Sequence, residues 1–317
     1  MSARIARSSP AEGTSPTPPV VLAIAATDSG GGAGLAADLA TLSALGVHGT
    51  LVVTAITAQD TTGVHLVHPV PASVVAAQLE AVLGDLPPLV VKTGMLGTAD
   101  TVRLVADRCT GIPLVVDPVL RATTGAELAD HEVLHAYRHH LLPVATVITP
   151  NASEARALLG LDPGDPTPAP ELAAALAALG PAVVLTGGPS TALGVGTNSA
   201  AEFAEIGTNT ESTDHCTDWL ATGGRPVALT HPTVQVADER PENRGATRND
   251  HGTGCTFASA VAARLAHGAD LPTAARDAAA YVTTQLQRSS TWDLGTGRGP
   301  IAHTHAHPAP APEEIYA

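Results

Sequence analysis

Short apolar runs alternate with longer stretches of helical periodicity along most of this chain. The runs at 20–25, 51–56, 89–91, 114–116, 146–148 and 183–185 have the length and composition of buried strands. Apolar residues recur at helical spacing over 34–45, 73–83, 99–108, 153–159 and 171–179, then over 256–266 and 273–287. Strands alternating with helices predict an α/β fold with a largely parallel central sheet. The residues just after each run are more informative than the run itself. In order they are Thr27-Asp28-Ser29-Gly30-Gly31-Gly32, Gln59-Asp60, Lys92-Thr93-Gly94-Met95, Asp117-Pro118, Pro150-Asn151 and Thr186-Gly187-Gly188. Polar and glycine residues thus gather at the carboxyl ends of the predicted strands, the edge where open α/β sheets bind ligands.

Composition and charge narrow the picture. The 317 residues are 44% hydrophobic but only 2% aromatic, so the core must be built from Val, Leu, Ile and Ala. A net charge of −14 argues against a nucleic-acid or anionic-membrane partner. A phosphorylated ligand would then need local neutralisation by a metal ion or backbone amides. Cys109, Cys216 and Cys255 are odd in number and widely spaced, which matches neither a disulfide framework nor a zinc pattern and leads us to expect a reducing cytoplasm. Residues 1–19 are rich in Ser, Pro and Thr without an apolar core, so they read as a disordered tail and not as a signal or membrane segment. Residues 306–317 read as a second tail. Between the tails, 20–305 is expected to be one domain with a polar loop insertion at 189–217. A second polar connection is expected at 237–248.

The densest chemistry lies at Asp250-His251-Gly252-Thr253-Gly254-Cys255-Thr256, where a loop turns into a helix. A helix start exposes backbone N–H groups and partial positive charge, and glycines let that backbone approach an anion. The segment therefore reads as an oxyanion cradle, with Cys255 at its rim as a thiol that loses its proton readily. The alternative is a Gly-capped turn beside a buried cysteine. Asp38 lies beside the apolar face of its helix, which points to a partner or ligand, or else to a first-turn acid favoured by the helix dipole. Gln59 offers donor and acceptor on one planar amide, suited to a ring with an amine beside a ring nitrogen, although a turn glutamine facing water reads the same way. Asp117, Asn151 and Glu154 are hard oxygen ligands of the type Mg²⁺ takes, while Asn151 and Glu154 also have the spacing of a capping box. His303 and His305 are expected to lie in a solvated tail.

Taken together, Thr27-Asp28 with Gly31-Gly32-Ala33-Gly34, Ala37-Asp38-Leu39, Ala58-Gln59, Gly94-Met95-Leu96, Val116-Asp117-Pro118-Val119, Thr149-Pro150-Asn151 with Glu154, and the 251–256 cradle form an ordered set of motifs. In this set the chain resembles the hydroxymethylpyrimidine/phosphomethylpyrimidine kinases of thiamine biosynthesis, a branch of the ribokinase-like superfamily. The resemblance implies a central, mostly parallel sheet flanked by helices on both faces, dependence on ATP and Mg²⁺, and a homodimer. It implies phosphorylation of 4-amino-5-hydroxymethyl-2-methylpyrimidine and then of its monophosphate. Gln59 matches the residue that pairs with the pyrimidine, and Asp38, Met95 and Val119 match positions around the ring. Cys255 stands where sugar-kinase relatives carry a catalytic aspartate, with Gly252, Thr253 and Gly254 as the anion hole. Asp117 and Glu154 match the Mg²⁺ region, and Asn151, Thr186 and Gly187 match the nucleotide side. Two positions depart from the family pattern. Ala26 replaces a usual glycine, and Thr186 replaces a usual lysine near the ATP phosphates. Pyridoxal-kinase-like relatives sometimes carry threonine there, so a pyridoxine-type substrate is the alternative. A non-catalytic binder of pyrimidine or vitamin on the kinase fold is the second alternative.

Overall fold

A computed structural model describes residues 17–121, 128–187, 215–234 and 249–304. The expected C-terminal tail, the 237–248 connection, most of the N-terminal tail and most of the 189–217 insertion lie outside these residues.

Eight strands form one sheet: β1 (Val20–Ala25), β2 (His48–Val53), β5 (Val90–Thr93), β6 (Leu114–Val116), β7 (Val147–Ile148), β8 (Ala182–Leu185), β9 (His215–Ala221) and β10 (Val227–Pro232). Their order is β10-β9-β8-β7-β6-β5-β1-β2, and every pairing from β8 to β2 is parallel. The predicted parallel α/β sheet is therefore present. The antiparallel edge made by β9 and β10 is an addition. Residues 215–217, expected inside the polar insertion, open β9 instead, because Cys216, Asp218 and Leu220 alternate inward.

Helices cover both faces, and strand alternation assigns each side chain to one of them. Leu114 and Val116 pack with α2 (Ala72–Asp85), α3 (Ala99–Arg108), α4 (His131–Ala136), α5 (Ala152–Leu159) and α6 (Ala169–Ala177). Val115, from the same strand, packs on the opposite face with α1 (Gly34–Ala44), α7 (Thr253–Ala266) and α8 (Leu271–Ser289). Alanine dominates α7 and α8, where Ala258, Ala260, Ala262, Ala274, Ala275 and Ala278 are buried, so these helices lie close together. No helix among the described residues is long and apolar enough to cross a membrane.

The run 51–56 does not form one strand. The chain leaves the sheet at Thr54, whose N–H donates to Ala25 O and whose hydroxyl donates to Met95 O at 2.6 Å. Beyond it, β3 (Ala55–Gln59) pairs antiparallel with β4 (Val64–Pro69) as a separate hairpin that brings Gln59 to the sheet's carboxyl edge. A two-residue pairing of β11 (Asn249–His251) with β12 (Gly299–Pro300) lies beside it in the fold. His303 is not a solvated tail residue, because its Nε2 lies 2.9 Å from Thr256 Oγ1 on α7, while His305 lies outside the described residues.

Candidate active site

The polar residues that follow the parallel strands converge on one cavity of about 120 Å³ at the carboxyl edge of the sheet. Gln59, Met95, Asp117, Val119, Asn151, Glu154, Thr186, Gly252, Thr253, Gly254 and Cys255 all line it. Two of the expected residues do not. Asp38 is fully buried behind the cavity, and Gly187 points its N–H away to Asp218 Oδ1 at 3.0 Å.

The floor is built around Lys92. A lysine inside a fully buried parallel strand must find partners, because an isolated buried charge is far too costly. Here Lys92 Nζ donates to Asp38 Oδ1 at 2.7 Å and lies 3.7 Å from Asp117 Oδ2. Ser259 Oγ on α7 donates to the same Asp38 oxygen at 2.8 Å. Burial works against the ammonium, but Asp38 first and Asp117 behind it hold its pKa above the usual lysine value. Asp38 thus anchors the buried cation from behind the cavity and does not line it.

Cys255 departs from expectation in its protonation. Burial pushes its thiol well above the ordinary range, and the negative Asp117 and Asp38 add to that shift. Lys92 and the Gly34 N–H oppose it without prevailing. Cys255 is therefore a thiol, and it donates to the Asp117 carboxylate. A helix start alone does not produce a thiolate when two carboxylates sit beneath it.

The cradle itself is as the sequence indicates. Gly252 caps α7 at φ 88°, and a Cβ there would fall 1.9 Å from Gly32 O, so only glycine fits. The first intrahelical bond of α7 runs from Thr256 N to Gly252 O at 2.9 Å, which leaves the N–H groups of Thr253, Gly254 and Cys255 outside the helical ladder. Opposite stands the start of α1, where a Cβ on Gly34 would meet Ala26 O at 2.4 Å.

A hydrogen-bonded chain that sequence reasoning misses forms one wall. Asp28 accepts from the N–H groups of Gly30, Gly32 and Ala33 at 2.8, 3.1 and 2.8 Å and from His251 Nε2 at 2.9 Å. Burial opposes its charge, yet His251 and the backbone donors hold its carboxyl below the usual range. The Gln59 amide lies 3.1 Å from the same His251 nitrogen. The Gln59 backbone is clamped to the loop by Ser29, whose Oγ accepts from Gln59 N at 2.8 Å and donates to Gln59 O at 2.6 Å. An acid set closely before three glycines is the available signal, since it supplies a carboxylate to several loop N–H groups at once. Across the cavity Ala26, Met95 and Val119 form an apolar wall, so the methyl of Ala26 contributes to the pocket surface. Arg298, paired with Asp250, and Arg121 also reach the lining.

At the start of α5, Asn151 and Glu154 form the capping box that their spacing suggests. Asn151 Oδ1 accepts from Glu154 N at 2.9 Å, and Glu154 Oε2 accepts from Asn151 N at 3.0 Å. Both still face the cavity. Burial first, and the nearby Asp117 second, push Glu154 up to about 8, while the Asn151 and Leu120 N–H groups restrain the shift. Burial pushes Asp117 up to about 6 against the pull of Lys92.

These shifts carry a linkage. An acid whose folded pKa is raised stabilises the fold fully below its unfolded pKa and loses that contribution as pH rises through the folded value. For Glu154 the window runs from about 4.5 to about 8. Urea melts at pH 5 and pH 8.5 should therefore show the unliganded protein losing stability. Glu154→Gln, with no proton to release, should lose less by more than about 1.4 kcal/mol, the equivalent of one pKa unit. Equal losses in the two proteins would show that Glu154 titrates normally.

Comparison with known proteins agrees with this geometry. The family profile described as phosphomethylpyrimidine kinase matches residues 28–302. The chain is 40% identical over 288 residues to the hydroxymethylpyrimidine/phosphomethylpyrimidine kinase of Synechococcus elongatus, covering 90% of this chain and 97% of that protein. It is 41% identical over 289 residues to the protein of the same name from Streptomyces coelicolor, covering 90% and 95%. Among solved structures, an ADP complex of Bacillus subtilis pyridoxal kinase superposes with a TM-score of 0.73 at 32% identity, covering 90% of this chain and 98% of that one. The chain belongs to the phosphomethylpyrimidine kinase family.

Proposed function

We propose that this protein transfers the γ-phosphoryl group of ATP to 4-amino-5-hydroxymethyl-2-methylpyrimidine, and then to the resulting monophosphate, in thiamine biosynthesis. The observation that carries this reading is the pairing of Gln59 with the 252–255 cradle across one cavity. The Gln59 amide, set on a backbone clamped by Ser29, presents a planar donor and acceptor to the ring amine and its adjacent nitrogen. Ala26, Met95 and Val119 supply the apolar surface for the ring. The hydroxymethyl group then faces Cys255 and the N–H groups of the cradle, which stabilise the charge on the transferring phosphoryl oxygens.

The donor set also fits Mg²⁺. Asp117 Oδ2 is buried without a hydrogen-bond partner, and Glu154 is a second hard oxygen donor on the same cavity. Glu154 would give up its proton as the ion binds, and the two carboxylates would then hold the ion largely through water and help it to neutralise phosphate charge. Asn151 and Thr186, joined by a backbone bridge, border the nucleotide side.

Phosphoryl transfer is loose, so the acceptor's proton leaves late and needs a resting place more than a strong base. The Cys255 sulfur takes the hydroxyl proton as its own proton passes to Asp117, and no free thiolate is required. A homodimer is part of the same reading, and the β3–β4 hairpin, with Ile56 and Leu66 more than half exposed, offers the apolar face for it.

A pyridoxine-type substrate is the second reading, favoured by the similarity to a pyridoxal kinase and by Thr186. Gln59→Ala separates the two. Loss of its amide should weaken pyrimidine binding by about 1–3 kcal/mol in a calorimetric titration, with pyridoxine binding little changed. Unchanged pyrimidine affinity would remove Gln59 from the ring site.

A further inference from the structure

Strands β9 and β10 carry a cluster that the kinase site does not use. They pair antiparallel with His231 directly opposite Cys216, and Asp218 lies two residues further along β9 on the same face. Cys216, Asp218 and His231 are all buried, and one ligand atom from each lies within 4.8 Å of the other two. His231 Nε2 is 3.2 Å from Asp218 Oδ2. Asp218 Oδ1 accepts the Gly187 N–H at 3.0 Å. None of the three residues lines the catalytic cavity.

We propose that Cys216, Asp218 and His231 form a binding site for a zinc-type divalent cation, with water in the fourth position. Sulfur, imidazole and carboxylate together make the borderline-soft donor set that zinc takes, and sulfur disfavours the hard Mg²⁺. Zinc–ligand distances of about 2.0–2.3 Å place neighbouring ligands of a tetrahedron about 3.3–3.6 Å apart. The imidazole and carboxylate already stand near that spacing, and a small inward rotation of the thiol completes the set. The Gly187 N–H orients the carboxylate from behind, as outer-shell partners orient metal ligands. Binding releases two protons to solvent, one from the Cys216 thiol and the one that His231 Nε2 shares with Asp218, leaving a thiolate and a neutral imidazole as ligands. Because Gly187 follows Thr186 at the cavity, the ion would fasten the antiparallel edge to the carboxyl end of β8. Cysteine spacing along the chain does not show such a site, because the histidine arrives by cross-strand pairing.

The test is a cobalt titration of the full chain after removal of metal with a chelator. The expected result is one equivalent of Co²⁺ bound with a near-ultraviolet thiolate-to-cobalt band, displaced by Zn²⁺. Cys216→Ser should abolish the band and Cys255→Ser should keep it. His231→Gln should weaken Co²⁺ binding at least tenfold while the metal-free melting temperature stays within a few degrees. If Cys216→Ser does not fold by circular dichroism, His231→Gln decides alone. A folded, metal-free protein without the thiolate band, a band that survives Cys216→Ser, or unchanged affinity in His231→Gln would overturn the proposal.

Discussion

Replacing Lys92 by methionine is expected to destabilise the protein by about 3–5 kcal/mol, the usual cost of stranding a buried charge by removing its partner. Methionine nearly preserves the volume, so the loss reports charge and not packing. Asp38, fully buried with Oδ1 bound to Lys92 and Ser259, would keep only the serine, and Asp117 would lose its nearest cation. A second substitution distinguishes this from general damage. Asp38→Asn in the Lys92→Met background removes one of the stranded charges and should restore part of the loss. Urea unfolding of the two variants measures it. A Lys92→Met stability within about 0.5 kcal/mol of wild type, the spread of ordinary surface changes, would mean that the floor of the site is not held by this ion pair.

Cys255→Ser should lower kcat by about 10²–10⁴, the range for a lost general acid–base group, with substrate affinity nearly unchanged. Serine keeps a hydroxyl that can donate to Asp117 and leaves the cradle N–H groups in place, so the substitution isolates the sulfur. Its oxygen is a poorer proton relay because the hydroxyl is a weaker acid than the thiol it replaces. Steady-state kinetics with ADP release, alongside a thermal melt to verify folding, checks the claim. A folded Cys255→Ser enzyme with kcat near wild type would remove the sulfur from proton transfer and leave the backbone cradle as the main catalytic feature.

The carboxyl-edge site is legible in the sequence because several strands each end in a polar signal. Gln59, Asp117, Asn151 and Thr186 come after four separate apolar runs and all reach one cavity. Periodicity also locates α1, α3 and α5 to within a few residues, whereas the six-residue α4 is too short to show a repeat and goes unpredicted. The features that escape depend on long-range pairing. Lys92 appears in the chain as a strand-end cation, and only the packing of α1 and α7 against β5 reveals Asp38 and Ser259 as its partners. Asp28 and His251 are 223 positions apart and meet at 2.9 Å. The protonation of Cys255 escapes for the same reason. The helix start is local and visible, whereas the carboxylates beneath it come from α1 and the end of β6. The antiparallel hairpin does carry a local signal, alternating burial on both sides of Gly223-Gly224, but it directly follows a long polar stretch.

The most direct test is ADP release with Mg-ATP on hydroxymethylpyrimidine, its monophosphate and pyridoxine, compared as kcat/KM under one set of conditions. The expected result is turnover of both pyrimidines with pyridoxine at least tenfold poorer. A preference for pyridoxine, or pyrimidine binding without any ADP release, would contradict the assignment of this cavity to pyrimidine phosphorylation.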